Sequence, residues 1–249
     1  MTVLAVYNAK GGVGKTSTVV NLAFEAARRR RRSLLWDLDP QGAASYYFRV
    51  APKLAGGAKG LVQRHDLLAG HIKGTDFEHL DLLPADFSLR NLDLHLDRTK
   101  RRTLAVAKVL EVVAADYDVV FLDCPPQVSL ASENVFAAAD CLLVPMIPTT
   151  LSQRTLTQLD EFLDRADQPD VPLRCVFSMV DGRKRLHAEV MQQLQAERSD
   201  VLRTAIPAAT EIEQMGVRRA PVGVFAPGSI AAHVYTDLWD ELSASLRNG

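Results

Sequence analysis

Lys10-Gly11-Gly12-Val13-Gly14-Lys15-Thr16 follows the apolar run Val3–Tyr7 and leads into Thr16–Arg28, where apolar residues recur at helical spacing. A strand running into a glycine-rich turn and then directly into a helix is the context a phosphate-binding loop requires. The glycines let the backbone curl until successive N–H groups face inward. Those groups join the positive end of the helix in holding phosphate oxygens. Lys15 is placed to reach the β- and γ-phosphates, and the Thr16 hydroxyl to ligate Mg²⁺. Lys10, Gly11, Gly12, Val13, Gly14, Lys15, Thr16 and Ser17 make up the expected nucleotide cradle. The general pattern G-x-x-x-x-G-K-[ST] is missed at its first position, where Ala9 stands, and Lys10 is a second lysine inside the loop.

Outward from this loop, apolar strand-like runs alternate with helical patterns. Ser33–Trp36, Leu80–Leu83, Val119–Leu122, Cys141–Val144, Leu173–Met179 and Leu202–Ile206 read as strands. Leu104–Ala114, Ser132–Ala138, Ser152–Arg165, Leu186–Glu197 and Ile230–Leu246 read as helices. Strands that are apolar throughout, instead of alternating, indicate a sheet covered on both faces. Their alternation with helices indicates βαβ units and a mainly parallel sheet. The expected fold is α/β: a Rossmann-like P-loop NTPase with a mostly parallel central sheet flanked by helices. Residues 1–249 read as a single domain. The stretch Arg49–Gly74, with Gly56, Gly57, Gly60 and Gly70, reads as a flexible surface excursion.

With 249 residues and a hydrophobic fraction of 47%, the chain can bury a sizeable core. Its 29 basic and 30 acidic residues give a formal charge of -1. That balance excludes a strongly basic whole-protein field, so any nucleic-acid contact must come from a local patch. Cys124, Cys141 and Cys175 form no CxxC pair and sit in or beside apolar runs, as buried small hydrophobes do in a reducing compartment. No leader is expected before the first strand, and no apolar run approaches the ~20 residues a membrane span needs. A cytoplasmic protein is expected.

Lys10-Gly11-Gly12-Val13-Gly14-Lys15-Thr16 resembles the deviant Walker A motif of the ParA/MinD family of ATPases, in particular its small ParA (Soj-like) type. Asp37-Leu38-Asp39-Pro40-Gln41-Gly42 looks like that family's A′ (switch I) motif. Val119-Val120-Phe121-Leu122-Asp123-Cys124-Pro125-Pro126 looks like its Walker B and switch II. Thr204-Ala205-Ile206-Pro207 resembles its late adenine-side strand end. The resemblance spans nearly the whole chain and implies ATP and Mg²⁺ as cofactors.

The site roles follow partly from chemistry and partly from the resemblance. A strand-ending carboxylate such as Asp123 can hold a Mg²⁺-bound water. Asp37 reads as a second metal-side or switch-positioning carboxylate. The resemblance implies that Asp39 orients the attacking water; as a lone Asp-Pro it would be a turn signal. It also implies that Lys10 reaches across an ATP-dependent sandwich homodimer to the partner's phosphates. There, positive charge meets the charge that spreads in the transition state. Lys10, Lys15 and Asp39 are thus the catalytic candidates. Met179 and Pro207 are placed near the adenine, where the later strands end.

The resemblance further implies nonspecific binding to double-stranded DNA, a nucleoid location, a cargo to segregate or position, and a ParB-like or adaptor activator of slow hydrolysis. The family commonly has arginines directly after Ile-Pro, but this chain reads Ile206-Pro207-Ala208-Ala209-Thr210-Glu211. The remaining candidates for a DNA-facing patch are Arg183, Lys184, Arg185, Arg203, Arg218 and Arg219. Arg28–Arg32 reads instead as dipole-complementing charge at a helix end, and Lys100-Arg101-Arg102 as a helix-flanking cluster. The tail around Asp237-Leu238-Trp239-Asp240-Glu241 is amphipathic but acidic, so it suits core packing and not an anionic membrane. The alternative reading is a metabolic P-loop enzyme of the dethiobiotin-synthase or amidotransferase-linked synthetase type. A nucleotide-dependent binding module with negligible hydrolysis is a third.

Overall fold

A computed structural model describes residues 1–54, 56–63, 70–99, 102–165 and 170–247. The strands are β1 (Thr2–Val6), β2 (Ser33–Asp37), β3 (Lys73–Gly74), β4 (Leu80–Leu83), β5 (Val119–Asp123), β6 (Cys141–Met146), β7 (Leu173–Val180) and β8 (Val201–Pro207). They form one sheet in the order β3-β4-β2-β5-β1-β6-β7-β8. All neighbours run parallel except β3 and β4. The α/β, mostly parallel architecture expected from the apolar runs is therefore the one observed.

The helices are α1 (Lys15–Arg28), α2 (Ala43–Tyr47), α3 (Gly57–Gln63), α4 (Leu92–Leu96), α5 (Ala105–Val113), α6 (Leu130–Ala138), α7 (Thr150–Leu163), α8 (Arg185–Glu197), α9 (Thr210–Arg218), α10 (Val222–Phe225) and α11 (Ile230–Arg247). The period of two along β1 sorts its side chains. Val3 and Ala5 join a core with Val106, Val109 and Leu110 of α5, while Leu4 and Val6 join one with Val19, Val20 and Ala23 of α1. Both faces are thus buried, which is why the strands carry no polar alternation.

Helix α11 closes the second face with Tyr235, Leu238, Trp239 and Leu242, one buried stripe at helical spacing. The Trp239 ring lies 5.8 Å from that of Phe121 on β5. Burial of each such side chain contributes roughly 1.5–3 kcal/mol. The acidic tail is thus core packing. Its Asp240 takes Arg29 at 2.8 Å, and three arginines of the basic run at the end of α1 are paired, Arg28 and Arg29 with Glu25 and Arg32 with Asp118.

Several short elements carry no apolar period long enough to show in the sequence. The stretch Arg49–Gly74 holds α3 and the edge strand β3 instead of an irregular loop throughout. Its residues 55 and 64–69, and Lys100 and Arg101 of the basic cluster, lie outside the described residues. Among the described residues no helix is long and apolar enough to cross a membrane. The carboxyl ends of β1, β2 and β5 stand in register, with Val6 beside Asp123 and Asp37 beside Asp123. The loops leaving these ends form the site.

Candidate functional site

The loop between β1 and α1 is pinned from below. The Asn8 amide donates to the Pro145 carbonyl at 2.8 Å, and its Oδ1 accepts the Lys10 N–H at 2.8 Å. The Ser178 hydroxyl donates to the Val13 carbonyl at 2.8 Å. The loop is thereby tied to β6 and β7. Gly12 and Gly14 sit at φ 71° and 82°, the left-handed region that side chains resist. Gly14 is the residue from which α1 starts.

The two lysines of the loop differ in burial and in partners. Lys15 is 7% exposed, and its Nζ donates to the Lys10 carbonyl at 3.2 Å. Burial lowers its pKa, while the charges of Asp123 and Asp39 act to hold its proton. Lys10 is exposed, and among the described residues its ammonium has neither an ion-pair nor a hydrogen-bond partner.

Asp37 and Asp123 are both fully buried. One oxygen of Asp37 accepts the Ser45 N–H at 2.8 Å and the Ser45 hydroxyl at 2.7 Å. The Ser45 Oγ in turn accepts the Ala85 N–H at 3.0 Å. The other Asp37 oxygen and both Asp123 oxygens have no partner among the described residues. Burial pushes the Asp37 carboxyl up to about 6, against the pull of the Ser45 bonds. Burial raises Asp123 well above the usual carboxylate range, and the Asp37 charge adds to it; Thr16 and Lys15 act the other way. Buried carboxylates left this way are costly unless a cation joins them. Hard oxygen donors suit Mg²⁺. Thr16, Asp37 and Asp123 therefore fit the metal role given them by sequence.

Asp39 is half-buried, and its Oδ1 accepts the Gln41 N–H at 2.9 Å. It shapes the turn that an Asp-Pro predicts, and its charge acts to hold the Lys15 proton. With Pro40, Gln41, Pro125, Pro126 and Gln127 it lines a cleft of about 350 Å³. A second cleft, about 280 Å³, runs from Gly14 and Ser17 to Met179 and Pro207. The structure thus gathers these distant residues beside the loop. Thr18 and Tyr235 line this cleft too, and their buried hydroxyls have no partner among the described residues. Sequence reasoning missed both, along with Ser45 and Ser178. Ser178 alone carried a signal, as a polar residue inside an apolar strand.

The six basic candidates do not form one run. Arg183 pairs with Asp181 at 3.0 Å and Arg185 with Glu189 at 2.7 Å, both at the head of α8. Lys184 lines the second cleft. Arg203 is exposed on the edge strand β8. Arg218 and Arg219 end α9; the Arg219 Nε donates to the Tyr46 carbonyl at 3.1 Å and its guanidinium lies 4.5 Å from the Tyr46 ring centroid. The three cysteines are buried and free.

A glycine-rich loop at the head of α1, a buried carboxylate pair and a cleft at the carboxyl edge of a parallel sheet define a P-loop NTPase fold. A family model described as an AAA domain matches residues 1–172. The sporulation initiation inhibitor protein Soj of Bacillus subtilis is 31% identical, across 98% of this chain and 98% of its own. The chromosome partitioning protein ParA of Caulobacter vibrioides is 30% identical, across 100% and 96%. Among solved structures, cobyrinic acid a,c-diamide synthase of Mycobacterium smegmatis with bound ADP and magnesium is 28% identical, with a TM-score of 0.83 over 100% of this chain and 97% of that one. The chain belongs to this AAA-domain family and, within it, to the ParA/MinD P-loop ATPases.

Proposed function

We propose that residues 1–249 work as one ParA-like ATPase domain that binds ATP with Mg²⁺, dimerises on ATP, binds DNA nonspecifically and positions or segregates an intracellular cargo. The observation that carries this reading is the contrast in burial and partners between the two loop lysines. Lys15 is buried against its own loop, where it would hold the β- and γ-phosphates. Lys10 stands outward with no partner in its own chain among the described residues, as a lysine that serves a second subunit's phosphates must. The names of the relatives, a Soj protein and a chromosome partitioning protein, support the same reading.

In this reading Thr16, Asp37 and Asp123 would hold the metal. When bound, Mg²⁺ neutralises charge on the phosphate oxygens. Gly11 to Ser17 cradle the phosphates, Met179 and Pro207 flank the base, and Asp39 orients the attacking water. Arg183, Lys184, Arg185, Arg203, Arg218 and Arg219 contribute the DNA-facing charge. A ParB-like or adaptor protein stimulates slow hydrolysis, and the protein resides in the cytoplasm on the nucleoid. The test is DNA retention with ATP, with ADP and without nucleotide. Retention with ATP alone is expected; equal retention in all three sinks the switch.

The likeness to cobyrinic acid a,c-diamide synthase, together with the cleft of about 350 Å³ beside Asp39, favours a second reading. A small carboxylic acid would sit in that cleft and receive the phosphoryl group. Robust turnover on such an acid, without DNA or a protein partner, would select it.

A further inference from the structure

We propose that α2 carries the state of the cation site to the DNA-facing end of α9 through the contact between Tyr46 and Arg219, an inference that rests on the DNA-binding reading above. Two consecutive residues of this five-residue helix have separate tasks. Ser45 is fully buried and grips Asp37 through both its backbone N–H and its hydroxyl. Tyr46 is 50% exposed and holds Arg219 in two ways, by its carbonyl at 3.1 Å and by its ring face at 4.5 Å. Adjacent helical residues point about 100° apart, so one rigid turn touches the carboxylate on one side and the arginine on the other.

The helix is hung so that it must follow the site. Gly42, at φ 66°, joins the Asp39 turn to α2. A Cβ there would stand 3.3 Å from Pro52 and 3.5 Å from Ala85, so the junction is closely packed. Asp37 and Asp39 thus bracket the approach to α2, and a shift of either carboxylate displaces Ser45 and Tyr46 together. At the far end Arg219 adopts φ 50°, a left-handed conformation that non-glycine residues resist. Its N–H closes α9 on the Met215 carbonyl at 2.7 Å. With Nε committed to Tyr46, the two terminal amino groups have no partner among the described residues. A planar fork held in this way is suited to bidentate contact with a phosphate. Tyr46 is then a positioning residue for Arg219, and its own position is set by Ser45 on Asp37.

Coupling of this kind is reciprocal, and typically amounts to about 5–150-fold in affinity. The test compares affinity for a random-sequence DNA duplex with ATP·Mg²⁺ and with ADP·Mg²⁺, in wild type, Tyr46→Ala, Tyr46→Phe and Arg219→Lys. Wild type should prefer the ATP state, and Tyr46→Phe, which keeps the ring over Arg219, should match it; the main-chain carbonyl is common to all the variants. Tyr46→Ala and Arg219→Lys should lose most of the ATP-to-ADP ratio while still binding nucleotide. Arg219→Lys keeps the charge, so a purely electrostatic arginine would leave the ratio unchanged. A wild-type ratio in either variant overturns the coupling and leaves the DNA reading standing. Absence of wild-type DNA binding in every nucleotide state overturns the DNA reading, and the coupling with it.

Discussion

Asp37 and Asp123 stand opposite one another at the carboxyl ends of the adjacent parallel strands β2 and β5, fully buried, with three of their four carboxylate oxygens unpaired among the described residues. Neither the loop nor Ser45 satisfies this pair. Two acids in one dry place are costly unless a cation joins them, and metal-free folding bears that cost.

Neutralising one of the pair should therefore stabilise the metal-free protein and remove its response to metal. Asp123→Asn is expected to raise unfolding stability without Mg²⁺ by roughly 1–3 kcal/mol, the scale of an uncompensated buried polar group. In wild type, Mg²⁺ with ATP at about 100 times its dissociation constant should add about 2.7 kcal/mol. Thermal melts with and without Mg²⁺·ATP check both effects. An Asn variant that is less stable without metal, yet still responds to it, would mean that Asp123 is a structural cap.

The two lysines should separate binding from assembly. Lys15→Ala removes the buried ammonium that faces Asp123 and Asp39, so nucleotide binding should fall at least tenfold. Lys10→Ala keeps the main-chain carbonyl that holds Lys15, so ATP affinity of the monomer should stay within a few-fold while the ATP-dependent dimer is lost. Labelled-ATP titration and sedimentation read the two effects apart. Normal ATP dimerisation of the Lys10→Ala protein would end the cross-subunit role.

Asp39 carries a turn and a charge at once, and two substitutions divide them. Asp39→Asn keeps an oxygen to accept the Gln41 N–H, now made at 2.9 Å, but loses the charge. Asp39→Ala loses both, with roughly 1 kcal/mol of loop stability in addition. If the carboxylate orients the attacking water, both variants should slow partner-stimulated turnover by about 10²-fold or more with little change in ATP affinity. Turnover that survives in Asn and fails only in Ala would assign Asp39 to the turn alone.

The parts of this molecule that could be read from sequence are those in which a long physical period or a dense motif repeats one message. Val119–Asp123 is apolar throughout because both faces of β5 are covered, and its final aspartate marks the sheet edge. Helix α9 buries only Met215, so no apolar stripe announced it. Helix α2 is five residues long and owes its place to Ser45 on Asp37, a contact between separate elements that no local pattern encodes. Tyr235 lines the second cleft for the same reason: α11 was legible as a core helix, but the hydroxyl it brings to a cleft shared with Thr18 depends on how α11 lies over α1. Lys10 was legible because its place within the loop is itself the signal.

Met179 provides the last prediction, because its backbone and its side chain should respond in opposite order. It occupies φ 52° where β7 and β8 pair irregularly, and it lines the cleft with Pro207. Strain of that kind persists where the surroundings demand the conformation, most often at a ligand site. Asn tolerates the left-handed region and Val resists it. Met179→Asn should therefore leave stability within about 1 kcal/mol of wild type, while Met179→Val should lose roughly 1–3 kcal/mol. If residue 179 flanks the base, as proposed, an apolar side chain suits it better, so ATP affinity should rank the other way, with Val above Asn at a temperature where both are folded. Denaturant melts and labelled-ATP titration give the two rankings independently. If both measurements rank Asn below Val, φ at Met179 is unstrained in solution; if Asn binds ATP as tightly as Val, the side chain does not face the base.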